Sequence, residues 1–110
     1  MGSLAVGALV LVPFPFSDLS RAKLRPAIVL ADAGRGDFVL CQVTSNPYGD
    51  PSAIELVAAD FASGSLDRVS YARPGKLFTA SDSIVVRQVG SLSSPALDRI
   101  RTSVMEMFRH

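Results

Sequence analysis

Apolar residues along this chain come in short runs broken by turn-forming clusters, the pattern of a small β protein. Ala8 to Val12 (ALVLV) is a continuous apolar run ended by Pro13, and predicts a buried first strand. Phe14 to Lys23 follows as a polar, turn-rich loop. Arg25-Pro26 opens a second strand over Ala27 to Ala31, since proline is tolerated at a strand's first residue and biases the residue before it to extended backbone. Asp32 to Gly36 (DAGRG) predicts a turn and Phe38 to Thr44 (FVLCQVT) a third strand, together a hairpin with the second. After the turn-rich SNPYGDPS, further short strands are expected at Ile54–Val57, Arg68–Tyr71, Lys76–Ala80 and Ile84–Val89. DFASGS and Arg73-Pro74-Gly75 are read as turns between them. Six or seven short strands at this spacing predict a mainly β fold, a small barrel or sandwich.

The period changes at the C-terminus. Ser94 can cap a helix with Pro95 at its first position, and Leu97, Ile100, Val104, Met107 and Phe108 then form one apolar stripe. Arg99, Arg101 and Glu106 fall away from it. The expected arrangement is an amphipathic helix packed on the barrel, with residues 1–110 forming one domain.

Composition narrows the chemistry. The 110 residues carry 11 Lys plus Arg against 10 Asp plus Glu, so a net charge of +1 points to neither a nucleic-acid nor a membrane partner in bulk. A hydrophobic share of 48% with 19% charged residues describes a folded globule. Cys41 is the only cysteine, which forbids an intrachain disulfide or a cysteine-based zinc cluster and favours the cytoplasm. His110, the only histidine, is the last residue, so a histidine-driven catalytic pair or a His-ligated metal is not expected. Lys23 and Lys76 are the only lysines, and the other nine cations are arginines, whose planar fork suits phosphate and carboxylate. The apolar segment from Leu4 to Phe16 is too short to span a bilayer and has no Lys or Arg before it, so it is not read as a membrane or export signal.

The stretches VPFPFSDLSRAKLRPAIVL, DFVLCQVTS and SYARPGKLFTASDSIVV resemble the MazF/PemK/Kid family of toxins, in the family's order, from about Val10 to the terminal helix. The pairing of LRPAIVL with CQVTS across one hairpin is the most specific part. The resemblance implies an SH3-like barrel with a C-terminal helix, acting as a homodimer that a cognate antitoxin blocks. It further implies cleavage of single-stranded RNA at short motifs without metal or other cofactor. Arg25 matches the family's catalytic arginine and Thr44 its catalytic threonine. Elementary chemistry supports the pair: attack by a 2′-hydroxyl needs charge stabilisation on a crowded phosphorane, which a fixed guanidinium supplies. A threonine hydroxyl can donate to a phosphate oxygen and accept from the attacking hydroxyl. Because arginine stays protonated near neutral pH, Arg25 is read first as an electrostatic clamp and second as a base.

Around that pair, Ser45 can add a phosphate contact, and Arg21 and Lys23 lie on the loop that borders the RNA groove in this family. Phe14 and Phe16 can stack on bases or pack in a core. The chain also departs from its relatives. Gly7-Ala8 stands where many have Gly-Asp, and Phe78-Thr79-Ala80-Ser81 stands where some have a second arginine and an acid. Arg73, Lys76 and Asp82 are the alternatives this chain offers for those groups. Two other functions remain open: a gyrase-poisoning toxin of the same barrel type, and a non-catalytic, antitoxin-binding SH3-like module. A nearly neutral chain that binds RNA must do so with a few placed arginines. The logarithm of its RNA affinity should therefore fall only gently with the logarithm of salt concentration, and a steep slope would contradict this reading.

Overall fold

The strands form where β-branched and aliphatic residues run together, and on the central ones both faces are buried. Residues 4–15 and 22–109 are described in the computed structural model. In order they form β1 (Ala8–Pro15), β2 (Ala22–Gly34), β3 (Asp37–Thr44), β4 (Ile54–Leu56), β5 (Phe61–Gly64), β6 (Ser70–Ser81), β7 (Arg87–Leu92) and α1 (Ser94–Met107). Short 3-10 turns at Ala58–Asp60 and Asp82–Ile84 precede β5 and follow β6. The turn joining β2 to β3 has Arg35 at φ 59° and Gly36 at φ 80°, the left-handed pair that a two-residue hairpin turn needs.

All pairings are antiparallel, in the order β4-β6-β3-β2-β1-β7-β5. The outer strands of this order, β4 and β5, are neighbours in sequence. A flat sheet of this width would separate them by roughly 29 Å, at about 4.8 Å per strand spacing. From Leu56 to Phe61 the chain reaches at most about 18 Å. The sheet must therefore curl, and it forms a half-barrel. Asp60 secures the link: its carboxylate accepts from Val57 N at 2.8 Å and from Arg99 Nη2 at 3.0 Å, and its carbonyl accepts from Ser93 N at 2.8 Å.

Two apolar clusters follow from the alternation of side chains. Leu9, Ile28, Leu30, Cys41, Val43, Leu56 and Ala72 face α1, whose Ala96 and Ile100 are fully buried against them. Burial of a side chain the size of Ile100 contributes roughly 2 kcal/mol. Val10, Val12, Ala27, Val29, Phe38 and Leu40 pack together on the other face. The β2–β3 ladder slips between Val29 and Ala31, and Arg101 donates to the intervening Leu30 carbonyl through Nε at 3.3 Å and Nη2 at 3.0 Å.

Several boundaries differ from the sequence expectation. The helix cap is Ser93, whose hydroxyl accepts from Ala96 N at 3.4 Å, one residue earlier than Ser94. Phe61–Gly64, expected as a turn, is a strand, because the curled sheet brings β7 alongside it. The two strands expected around Arg73-Pro74-Gly75 are one strand, β6, carrying a bulge. The last strand starts at Arg87, after a 3-10 turn that includes Ile84. The apolar stripe of α1 is buried only in its first turns: Met107 is 42% and Phe108 73% exposed. Among the described residues, no helix is long and apolar enough to cross a membrane.

Closure also requires a tight crossing of β5 and β7, where Gly64 (φ 64°) pairs with Gly90. A Cβ on Gly90 would lie 2.6 Å from Ser63 O, and one on Gly64 would collide with the Val89 carbonyl. Gly64→Ala is expected to lower unfolding stability by about 2–3 kcal/mol, combining strain at positive φ with backbone overlap. Urea unfolding checks this, and an unchanged midpoint would mean that the two strands do not cross so closely in solution.

Candidate active site

The face of the sheet that holds the second apolar cluster turns polar at one end. Arg25 lies two residues before Ala27 on β2, and Gln42 and Thr44 lie two and four residues after Leu40 on β3. Period-2 alternation puts all three on the face that Ala27 and Leu40 bury. The β2–β3 ladder runs to Ala27–Gln42, and two residues further along each strand stand Arg25 and Thr44. Val12 on β1 pairs with Arg25 and is fully buried, so the arginine stem starts from a rigid, apolar floor. Arg25 is itself half-buried and Thr44 is 8% exposed.

On the other side of β3, the ladder to β6 contains a wide bulge. Between the pairs Val43–Ala72 and Cys41–Leu77, β3 supplies Gln42 alone while β6 supplies Arg73, Pro74, Gly75 and Lys76. Three contacts hold the bulge. Pro74 is fully buried, the Cys41 thiol donates to Arg73 O at 3.2 Å, and the Arg73 guanidinium reaches back across β3. Arg73 Nε donates to Asp50 Oδ2 at 2.9 Å and Nη1 to Gln42 Oε1 at 3.5 Å. Burial pushes the Cys41 thiol up to about 12, although its bond to Arg73 O acts the other way, so it is a packed donor and not a nucleophile.

Asp50 comes from the loop after β3, a chain of short-range bonds. The Thr44 hydroxyl donates to Asn46 O at 3.1 Å and accepts from Asn46 N at 3.2 Å. Asn46 Oδ1 accepts from Tyr48 N, Pro47 O from Asp50 N, and Asp50 Oδ1 from Ser52 N, each at 2.9 Å. Arg73's hydrogen bond, helped by Ser52 N and by the charges of Arg73 and Lys76, holds the Asp50 carboxyl below the usual carboxylate range.

The candidate residues thus separate. Arg25 and Thr44 share one face and one end of the sheet with Gln42, and Arg73 reaches the same end through Gln42. Ser45 is exposed directly after Thr44; Lys76 is exposed on the bulge, close enough to Asp50 to affect its charge; Lys23 is exposed on β2, two residues from Arg25. Asp82 lies elsewhere: its N–H donates to Gly36 O at 2.8 Å, at the hairpin end of β3, about 23 Å along the strand from Thr44. Phe78 packs against the second apolar cluster, so the position where some relatives have arginine fills core here. Arg21, Phe16 and His110 lie outside the described residues, as does the side chain of Phe14. Sequence reasoning missed Asp50, Gln42 and Tyr48. Only the turn-forming string SNPYGDPS marked two of them.

A family model described as a PemK-like, MazF-like toxin of a type II toxin–antitoxin system matches residues 5–108. A search of curated proteins by sequence finds no match. Among solved structures, a MazE–MazF complex from Deinococcus radiodurans superposes with a TM-score of 0.77 at 22% identity, covering 99% of this chain and 98% of the other. An endoribonuclease in complex with its cognate antitoxin, from Mycobacterial species, gives 0.75 at 12% identity over 99% and 96%. The Mycobacterium tuberculosis toxin MazF-mt6 gives 0.69 at 14% identity over 93% and 96%. At these identities the likeness is one of fold.

The Asp50–Arg73 pair has a pH signature. A carboxyl whose folded value is depressed stabilises the fold above its unfolded value, near 3.8, and that stabilisation is lost as pH falls through the folded value. A carboxyl-carbon NMR titration should place the Asp50 midpoint below 3.8, and Arg73→Ala should raise it. An identical midpoint in the two proteins would show that the ion pair does not form in solution.

Proposed function

This chain belongs to the PemK-like, MazF-like toxins of type II toxin–antitoxin systems, and from that premise we propose that it is a metal-independent, sequence-specific endoribonuclease. Its substrate in this reading is single-stranded RNA. The observation that carries the proposal is the convergence of Arg25, Thr44 and the tethered Arg73 on one end of one sheet face.

The chemistry is an internal transfer. The ribose 2′-oxygen attacks the adjacent phosphorus, the P–O5′ bond breaks, the 2′-hydroxyl loses its proton and O5′ gains one. The products are a 2′,3′-cyclic phosphate and a 5′-hydroxyl. Arg25 clamps the phosphate and stabilises the extra negative charge of the phosphorane. The Thr44 hydroxyl has one lone pair beyond its two bonds to Asn46, and it can accept there from the attacking 2′-hydroxyl. Its own proton can turn from Asn46 O to a phosphate oxygen, because the hydroxyl rotates freely. Arg73 supplies a second cationic fork, with Ser45, Lys23, Lys76 and Arg21 as further phosphate contacts. No step uses a histidine or a cofactor.

A cytoplasmic homodimer restrained by a cognate antitoxin completes the proposal. Met105 and Phe108 are exposed near the end of α1, apolar residues of the kind that a subunit or antitoxin covers. A gyrase-directed activity finds no particular support in a paired-arginine site.

The decisive assay incubates long single-stranded RNA with the purified protein in EDTA and maps the ends. Discrete cuts are expected, with Arg25→Ala and Thr44→Ala each reducing the rate by roughly 100-fold or more. Intact RNA after incubation with the wild-type protein would overturn the ribonuclease reading, and full activity in Arg25→Ala would remove the clamp from it.

A further inference from the structure

The loop that follows Thr44 does more than deliver Asp50. Among the described residues, two that are not glycine adopt left-handed backbone, Arg35 (φ 59°) and Tyr48 (φ 55°). Arg35 does so because a two-residue hairpin turn requires it. Tyr48 does so as the first central residue of the turn that Asp50 N closes onto Pro47 O, with Gly49 (φ 72°) as the second, and a bulky aromatic residue is disfavoured at that position. The strain is held in place by the bond from Tyr48 N to Asn46 Oδ1, and Asn46 is fastened on both sides by the Thr44 hydroxyl.

What this geometry achieves is display. The Tyr48 residue is 70% exposed, so packing gains little from it. Its ring centroid lies 6.0 Å from the Arg73 Cζ, at the outer limit of a cation–π contact. An exposed aromatic ring beside a fixed guanidinium, one loop from a candidate phosphate clamp, is the combination that single-stranded nucleic acids use: bases stack on the ring while the cation holds the backbone.

We propose that Tyr48 is a stacking platform for an unpaired base of the RNA, with Arg73 binding the adjoining phosphate, so that the strand is threaded past Arg25 and Thr44. Asp50 is then a positioning residue, which fixes the guanidinium plane beside the ring. The inference rests on the ribonuclease reading, and binding to RNA that cannot be cut separates the two.

The probe is a short, randomised 2′-O-methyl RNA pool, single-stranded or annealed to its complement, titrated into the wild-type protein, Tyr48→Phe and Tyr48→Leu. The wild-type protein should bind the single strand more tightly than the duplex. Tyr48→Phe should keep that affinity within about twofold, and Tyr48→Leu should weaken it roughly tenfold. With no Trp and 2 Tyr in the chain, emission reports tyrosine directly. Bound RNA should quench the wild-type signal, and the quenching should largely vanish in Tyr48→Phe, which tests the contact even if Tyr48→Leu is unstable. Equal affinities for wild type and Tyr48→Leu would overturn the platform while leaving the ribonuclease reading intact. Unchanged RNA binding with weakened antitoxin binding in Tyr48→Leu would assign the ring to a protein partner and overturn the proposal. A wild-type protein that neither binds nor cuts single-stranded RNA would overturn both readings.

Discussion

The four residues between β4 and β5 constrain everything else in this fold. They join the two outermost strands of a seven-stranded antiparallel sheet and are far too short to cross its flat width. The sheet has to curl until β4 and β5 approach, and Asp60 ties the link to the start of α1 through Val57, Arg99 and Ser93. Curling divides the side chains of each central strand between two buried clusters. That is why β2 is apolar on both faces over Ala27 to Leu30, where an open one-sided sheet would alternate.

Curling also explains how the site is made. A strongly bent sheet cannot keep every strand in register, and the mismatch appears where β6 has four residues against Gln42 alone. Those surplus residues include Arg73 and Lys76, and the bulge aims Arg73 back across β3 toward Gln42 and Asp50. A regular β6 would keep the period-2 rhythm and lack the slack for this reach. On the opposite side of β3, the fully buried Val12, paired with Arg25 across the β1–β2 ladder, gives that arginine a rigid start. The site is therefore a product of strand geometry on both sides and of one loop, while Ser103, Glu106 and Met107 of α1 line a cavity with Asp50, Pro74 and Gly75 behind it.

How much of this could be read from the residues follows from where the determining physics lies. β1, β2 and β3 were legible from their long apolar runs and the Arg35-Gly36 turn. Pro13 and Arg25-Pro26, read as strand ends, lie inside β1 and β2, whose pairing continues to Pro15–Ala22 through residues expected to be loop. α1 was legible because Ala96, Ile100 and Val104 keep the helical period. β5 was not, since FASG carries no strand signal of its own and becomes a strand only when closure places β7 beside it. The bulge in β6 looked like a break because proline and glycine interrupt the ladder whether or not the strand continues. Arg25 and Thr44 were nominated through a resemblance, whereas Asp50 was hidden among turn-formers. Its partner, Arg73, is distant in sequence, so nothing local marks the pair. Arg101 was read only as lying off the apolar stripe, and its partner was hidden because it is a backbone carbonyl freed by a ladder slip.

The chemistry of the site carries one more consequence. The Arg73 hydrogen bond holds the Asp50 carboxyl below the usual carboxylate range, which favours its charged form at neutral pH. On the proposed ribonuclease reading, discrimination would come from shape, meaning which strand can lie along the face and which base reaches the loop. The one loop that touches both Thr44 and Arg73 is also the one that holds an aromatic ring outward at the cost of a left-handed backbone.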